Sequence, residues 1–379
     1  MAKYKFEQIA HYLNEKRMPT DADRETYIGL EHLDSGSLTV TRWGSDVEIK
    51  GQKLVMHKGD ILFGRRNTYL KRAAIAPHDG LFSAHGMIWR PKEDVVDAGF
   101  FPFFVSSDYF MDEAIRISVG SLSPTINWRD LKELEFDLPD IETQRKLSAL
   151  LWAMERTKTA YKNLIAKTDE LVKSQFVEMF GDPAENPKGF EKHPLMYLAT
   201  KITDGVHKKP VYTDKGKPFI SVTNINRGVI DFTGCKFVSE EAYEAMIKTT
   251  FPKKGDVLYT KVGATYGIPA YVDTDQPFGL YVSVCLIKPK HDMIDARFLT
   301  ESMRMEYVKK QADDRIKGIG VPDLHLQEIK AFEILCPPRK MQERFVSLVE
   351  QSDKSKFAAQ QALADLTGAQ KALMRQYLG

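Results

Sequence analysis

The chain repeats itself, and that constrains its fold more than any other feature. From Met87 to Gly181 it matches the stretch from Cys285 to Gly379 at a constant offset of 198 residues, without gaps. Paired identities include Pro91/Pro289, Asp97/Asp295, Phe100/Phe298, Tyr109/Tyr307, Gly120/Gly318, Pro124/Pro322, Pro139/Pro337 and Gln144/Gln342. Upstream, KGDILF at Lys58–Phe63 matches KGDVLY at Lys254–Tyr259, and YIGLEHL at Tyr27–Leu33 resembles FISVTNI at Phe219–Ile225, at shorter offsets. A register held this long reads as a pseudo-twofold duplication, in which each unit is one structural module.

Each unit has two parts. The first reads as mixed α/β. Short apolar runs bounded by Gly, Pro and Asp (GDILFG, RAAIAP, GMIWRP) suggest strands, and Val95–Ile117 and Ile294–Ile316 carry interrupted helical patterning. The second part follows Pro139 or Pro337 and reads as one long helix ending at Gly181 or Gly379, since proline suits a helix start and glycine its end. The first helix carries a seam through Leu147, Leu151, Met154, Lys158, Tyr161, Ile165, Thr168 and Val172. The second carries Phe345, Val349, Ser352, Lys356, Ala359, Leu363, Leu366 and Gln370 in the same register. Spacing that alternates four and three is a coiled-coil period. The sequence therefore predicts an α+β chain of two α/β domains (1–140 and 182–338), each followed by a spacer helix (141–181 and 339–379). The two helices are expected to pack as an antiparallel coiled coil.

Composition narrows the functional classes. The 54 basic and 52 acidic residues give a net charge of only +2, so an argument for nucleic acid has to rest on local clusters. Cys235, Cys285 and Cys336 lie far apart, with no metal-type CxxC spacing and an odd count, which fits a reducing cytoplasm. The opening MAKYKFEQIA has no secretory pattern, and no apolar run is long enough for a membrane span. No GxxxxGK[ST] phosphate loop, HExxH motif or paired metal-ligand spacing is present. Cys-Pro-Pro at Cys336 has neither the polar residue before the prolines nor the aromatic after them that amino-methyltransferase motifs carry, and it reads as a helix lead-in. No catalytic or metal-binding residue is expected.

Local clusters do point to nucleic acid. Lys58–Arg72 holds Lys58, Arg65, Arg66, Lys71 and Arg72 against the single acid Asp60, a pattern suited to phosphate contact and to pairing with guanine. In the second unit Lys208 and Lys209 follow a TDG turn, and Lys261 with Tyr266 occupies the loop aligned with the first basic cluster. Arg315, Lys317, Gly318 and Gly320 form a basic turn whose counterpart, Gly120–Thr125, offers Ser121, Ser123 and Thr125 as hydroxyl donors. Trp43 and Trp128 read as core aromatics rather than base-stacking ones.

The order of reader, Pro-led helix, second reader and second Pro-led helix resembles the specificity subunits of type I restriction–modification enzymes. KGDILFGRRNTYLKRAAIAP with GMIWRPK, and KITDGVHKKP with KGDVLYTKVGATYGIPAYV, are similar to the cores of that family's target-recognition domains. SPTIN after Gly120 and GVPDL after Gly318 match the place where such a domain turns back toward its long helix. The family often has Glu-Gln at each helix start, where this chain has Thr143-Gln144 and Met341-Gln342.

The resemblance implies a non-catalytic chain whose two readers bind the halves of a split, asymmetric site in double-stranded DNA. It also implies docking of two methyltransferase subunits, which would hold S-adenosylmethionine, and of restriction subunits using ATP and Mg. No cofactor is implied for this chain. Two other readings stand beside it: a protein-binding scaffold built on the helical spacer, and a self-sufficient DNA-modifying enzyme. Under the first reading the DNA-contact candidates are Arg65, Arg66, Lys71, Arg72, Ser121, Thr125, Lys208, Lys209, Lys261, Tyr266 and Lys317. The helix-seam candidates are Leu147, Met154, Tyr161, Val349, Ala359 and Leu366.

Overall fold

The computed structural model describes residues 1–226, 228–317 and 320–378. Gly318 and Gly379, both singled out by the sequence, lie outside the described residues. The fold is α+β, and the chain divides into two compact units: Met1–Asn163 with Ala359–Gly379, and Leu164–Ala358.

The first unit is built on a four-stranded antiparallel sheet in the order Ala10–Leu13, Gly86–Pro91, Ile61–Gly64, Ala73–Ile75. Ile61–Gly64 is buried throughout, which is why it reads as an unbroken apolar run rather than an alternating one. Trp89 anchors the core with no exposed surface, stacked on Phe63 at 4.6 Å and edge-on to Phe6 at 5.0 Å. The interrupted helical pattern forms two helices, Phe101–Ser106 and Asp108–Arg116. The break falls at Ser107, whose hydroxyl caps the second helix by accepting from the Phe110 N–H at 3.2 Å.

The second unit has the same strand order: Ala199–Asp204, Val284–Pro289, Val257–Thr260, Pro269–Tyr271. Its helices, Ala296–Arg304 and Glu306–Asp313, break at Met305. The KGD motifs explain themselves in both units. Asp60 is buried, accepts from the His57 N–H at 2.8 Å and pairs with Arg90 at 2.5 Å. Asp256 does the same with the Lys253 N–H at 2.7 Å and Lys288 at 2.5 Å. A buried carboxylate is tolerated because its charge and lone pairs are both engaged.

Two helices of 40 residues, Ile141–Phe180 and Arg339–Leu378, complete the chain. Asp140 caps the first, its carboxylate accepting from the Thr143 N–H at 2.9 Å and the Thr143 hydroxyl at 2.8 Å. In the first unit Leu147, Leu151, Met374 and Leu378 are buried in the same core as Trp89 and Phe104, with Met154, Leu373 and Tyr377 packed against it. In the second, Phe176 and Phe180 share a core with Phe298, Phe345 and Val349. The division between units therefore falls inside both helices, because the helix ends are part of the cores. Seam residues away from the ends include polar contacts. Buried Lys158 donates to Glu155 at 2.6 Å and to Gln370 at 2.8 Å, and Lys356 pairs with Asp169 at 2.6 Å. Ala359 is buried, while Tyr161 and Leu366 are half-buried. Among the described residues no helix is long and apolar enough to cross a membrane.

One core expectation is corrected. Trp128 packs on the first core and stacks on Tyr12 at 4.7 Å, but Trp43 is 47% exposed, edge-on to His78 at 5.0 Å. Trp43 sits in an irregular stretch with no strand or helix to carry it inward.

Candidate nucleic-acid interface

Each unit brings two separate sequence candidates together through the backbone. In the first, the basic loop and the Gly120–Thr125 turn are joined by Ile126 N–H to Arg65 O at 3.0 Å and Asn67 N–H to Pro124 O at 2.8 Å. In the second, Leu324 N–H donates to Lys261 O at 2.8 Å and Gly263 N–H to Pro322 O at 2.9 Å. The turns themselves close by paired bonds, Val119 with Thr125 and Lys317 with Asp323. The loop needs left-handed backbone at two places. The second unit supplies Gly263 and Gly267 (φ 86° and 87°), whereas the first forces Asn67 and Lys71 into the same region (φ 54° and 47°).

The side chains then divide by what they touch. Arg66 is exposed and donates to Ser123 Oγ at 3.3 Å. Arg65 is half-buried, and its Nε has no hydrogen-bond partner. Ser121 is exposed, while the Thr125 hydroxyl donates to Ser123 O at 2.9 Å. Lys71 is engaged internally, bonded to Asp108 at 2.9 Å and Asp112 at 2.7 Å. The hydrogen bond from Lys71 holds the Asp108 carboxyl below the usual carboxylate range. Although burial opposes its charge, Lys71 is itself raised by the two acids. Arg72 donates to Leu30 O at 2.9 Å and Arg66 O at 3.2 Å, and burial lowers its pKa.

The second unit uses different side chains at its aligned loop. Lys261 is buried, 3.5 Å from Asp204 and 3.7 Å from Asp323. Tyr266 donates to Asp313 at 2.5 Å beneath the ammonium of Lys309, which lies 4.2 Å from the ring centroid. Lys317 pairs with Glu328 at 2.8 Å. Lys208 and Lys209 are exposed just past the TDG turn. Gly205 in that turn has no room for a side chain, since a Cβ there would lie 2.1 Å from Leu280 O.

Sequence reasoning missed a basic aromatic patch beside those lysines. Lys209 and Lys236 both lie over the Tyr212 ring, at 5.6 and 5.9 Å, and Val211 next to it is 84% exposed. The run KKPVY carried part of the signal. Lys236 arrives from a neighbouring strand, Lys236–Val238, that local spacing does not reveal.

The arrangement has known relatives. The family model described as the type I restriction modification DNA specificity domain matches residues 187–365. The chain is 24% identical over 304 residues to the EcoKI specificity subunit of Escherichia coli strain K12. That match covers 73% of this chain and 62% of the relative. It is also 24% identical over 286 residues to the MjaIX specificity subunit of Methanocaldococcus jannaschii, covering 69% and 63%. The chain thus spans a little over three fifths of the length of these two relatives. The crystal structure of the type I restriction–modification S subunit from M. genitalium superposes with a TM-score of 0.59 at 14% identity, covering 100% of this chain and 96% of that one. A chain from a study of assembly and conformational transition of the type I system gives 0.55 at 18%, covering 99% and 97%.

Proposed function

We propose that the chain belongs to the type I restriction–modification specificity family, to which it is similar, and that it is the non-catalytic subunit that gives such a complex its DNA sequence specificity. Residues 1–140 and 182–338 are its two target-recognition domains, and 141–181 and 339–379 its spacer helices. One observation carries the reading. Two heads with the same strand order each join two loops through matching backbone hydrogen bonds, yet exposed Arg66 in the first has Val262 in its aligned place, and the second exposes Lys208 and Lys209 on a separate segment. Equal scaffolds with unequal contact residues suit a split site whose halves differ in sequence.

The matching strand orders support a pseudo-twofold duplication. The contacts of Lys158 with Gln370 and of Lys356 with Asp169, together with the shared burial of Leu147 and Leu151 with Met374 and Leu378, support antiparallel pairing of the helices. The pair sets the gap between half-sites and docks two methyltransferase subunits, which hold S-adenosylmethionine; restriction subunits with ATP and Mg join them. In this reading Arg65, Arg66, Ser121, Lys208 and Lys209 contact DNA. Lys71, Arg72, Lys261 and Tyr266 shape the loops from within, Lys317 is held at the surface by Glu328, and Thr125 closes its turn.

The reading is tested by assembling the full chain with its methyltransferase and substituting Arg65 and Arg66, or Lys208 and Lys209, by alanine. Each pair should weaken binding and flatten its salt dependence by roughly one unit of slope per lost phosphate contact. DNA binding untouched by both pairs would favour a protein-binding scaffold instead.

A further inference from the structure

The turn from Val119 to Thr125 is rigidly presented. Val119 and Thr125 exchange backbone hydrogen bonds at 3.0 and 2.9 Å, and Arg66 reaches Ser123 Oγ at 3.3 Å. The Pro124 and Ile126 bonds fix it further to the basic loop. On this turn stands Leu122, 95% exposed, the most exposed large apolar side chain among the described residues. A lone exposed leucine usually means nothing. Leu122 differs in its setting, on a braced turn between two serines, joined to a loop carrying Arg65, Arg66 and Arg72.

The charge around it also differs between the heads. Lys261 in the second head is buried between Asp204 and Asp323. At the aligned place the first head has Arg65. There Asn14 follows Leu13 as Asp204 follows Thr203 in the paired strand, and Thr125 stands where the second head has Asp323. Both acids are replaced by neutral residues. Among the described residues Arg65 has no ion-pair partner; the side chain is half-buried and its Nε is enclosed without a hydrogen-bond partner. The residue aligned with Leu122 is Gly320.

We propose that Leu122 is an apolar wedge that the first head inserts between adjacent base pairs of duplex DNA, with Arg65 and Arg66 on the flanking phosphates. This rests on the DNA-binding reading above. Apolar wedges of this kind partly unstack a base step and kink the duplex, and the unstacking is offset by contacts that the bend permits. Leucine cannot hydrogen-bond a base edge, so it selects sequence indirectly, through steps that unstack easily such as TA and CA/TG. With glycine in the aligned place of the second head, the distortion belongs to one half-site only.

The test uses the full chain assembled with its methyltransferase, as wild type, Leu122→Gly and Leu122→Met. The probe is a duplex carrying the motif that the wild-type chain directs in host DNA. It has 2-aminopurine at successive positions of each half, other than the methylated adenine. The wild type should raise fluorescence at one step in one half. Leu122→Gly should abolish that signal and weaken binding about tenfold, and Leu122→Met should restore both. All three should melt together, because the side chain is almost fully exposed. Wild-type binding without an unstacked step, or a signal undiminished in Leu122→Gly, overturns the wedge alone. So does a variant that binds DNA normally but loses affinity for the methyltransferase, which would place Leu122 in a protein interface. A wild-type assembly that binds no DNA overturns the wedge and the DNA-binding reading together.

Discussion

Gln144 Oε1 accepts the backbone N–H of Asp97 at 2.8 Å, tying the start of the first long helix to the head before it. The amide is buried, and its nitrogen donates to Val95 O at 3.2 Å and Pro139 O at 2.8 Å. Gln342 repeats all three contacts, with Asp295 N–H at 2.8 Å, Met293 O at 3.1 Å and Pro337 O at 2.8 Å. One side chain thus satisfies three backbone groups, two in the head and one carbonyl of the proline lead-in.

Truncating this joint should therefore be costly. Gln144→Ala or Gln342→Ala leaves one N–H and two carbonyls unpaired in a closed space, a loss of about 2–4 kcal/mol. Chemical denaturation followed by circular dichroism would measure it. Gln→Glu should also destabilise, since a carboxylate cannot donate to the two carbonyls. A shift in the midpoint too small to resolve for either alanine variant would mean that water replaces the amide.

The contact between Lys71 and Asp108 makes a pH-dependent prediction. The Asp108 carboxyl is lowered, first by the hydrogen bond from Lys71. A lowered carboxyl contributes stability that is present above its unfolded pKa and lost as pH falls through the folded one. Lys71→Gly removes that contribution but relieves a left-handed backbone at φ 47°. The two effects should nearly cancel near pH 7. The variant should then gain on the wild type as pH falls below about 4, as read by melting temperature. A difference that stays flat with pH would mean that the ion pair adds nothing. Since both acids already hold Lys71, the variant should keep the wild-type salt slope for DNA.

Lys261 gives a sharper contrast. Lys261→Ala leaves the largely buried Asp204 without its cation beside a partly exposed Asp323, so the second unit should lose about 1–3 kcal/mol. The salt dependence of DNA binding by the folded fraction should be unchanged. A flatter slope at full stability would return Lys261 to the contact surface.

The helices predict spacing. One heptad added to both keeps the seam in register and lengthens each by about 10 Å. That corresponds to about three base pairs of DNA. The directed motif should gain a spacer of that order with both half-sites unaltered. Altered half-sites would mean that the helices also shape the readers.

Much of this was legible beforehand because it is local. Proline and glycine punctuate the helices at Pro139 and Gly181, and the strand Ile61–Gly64 announces itself by an apolar run. The break at Ser107 shows as an interrupted pattern. The roles of individual cations were not legible, because their partners come from distant elements. Lys71 reads like Arg66 in a basic run until helix Asp108–Arg116 brings two carboxylates to it. Lys261 reads as a loop cation until Asp204 and Asp323 close around it. Trp43 looked like core material by residue type, but no regular element carries it inward. Lys236 joined Tyr212 only through strand pairing.

The most direct test of the central claim is native long-read sequencing of host DNA with and without this gene, scoring modified adenines. A split, asymmetric motif that disappears with the gene is the predicted result, and it would also give the target of each head. An unchanged methylation pattern, in a host whose methyltransferase partner is active, would contradict the account.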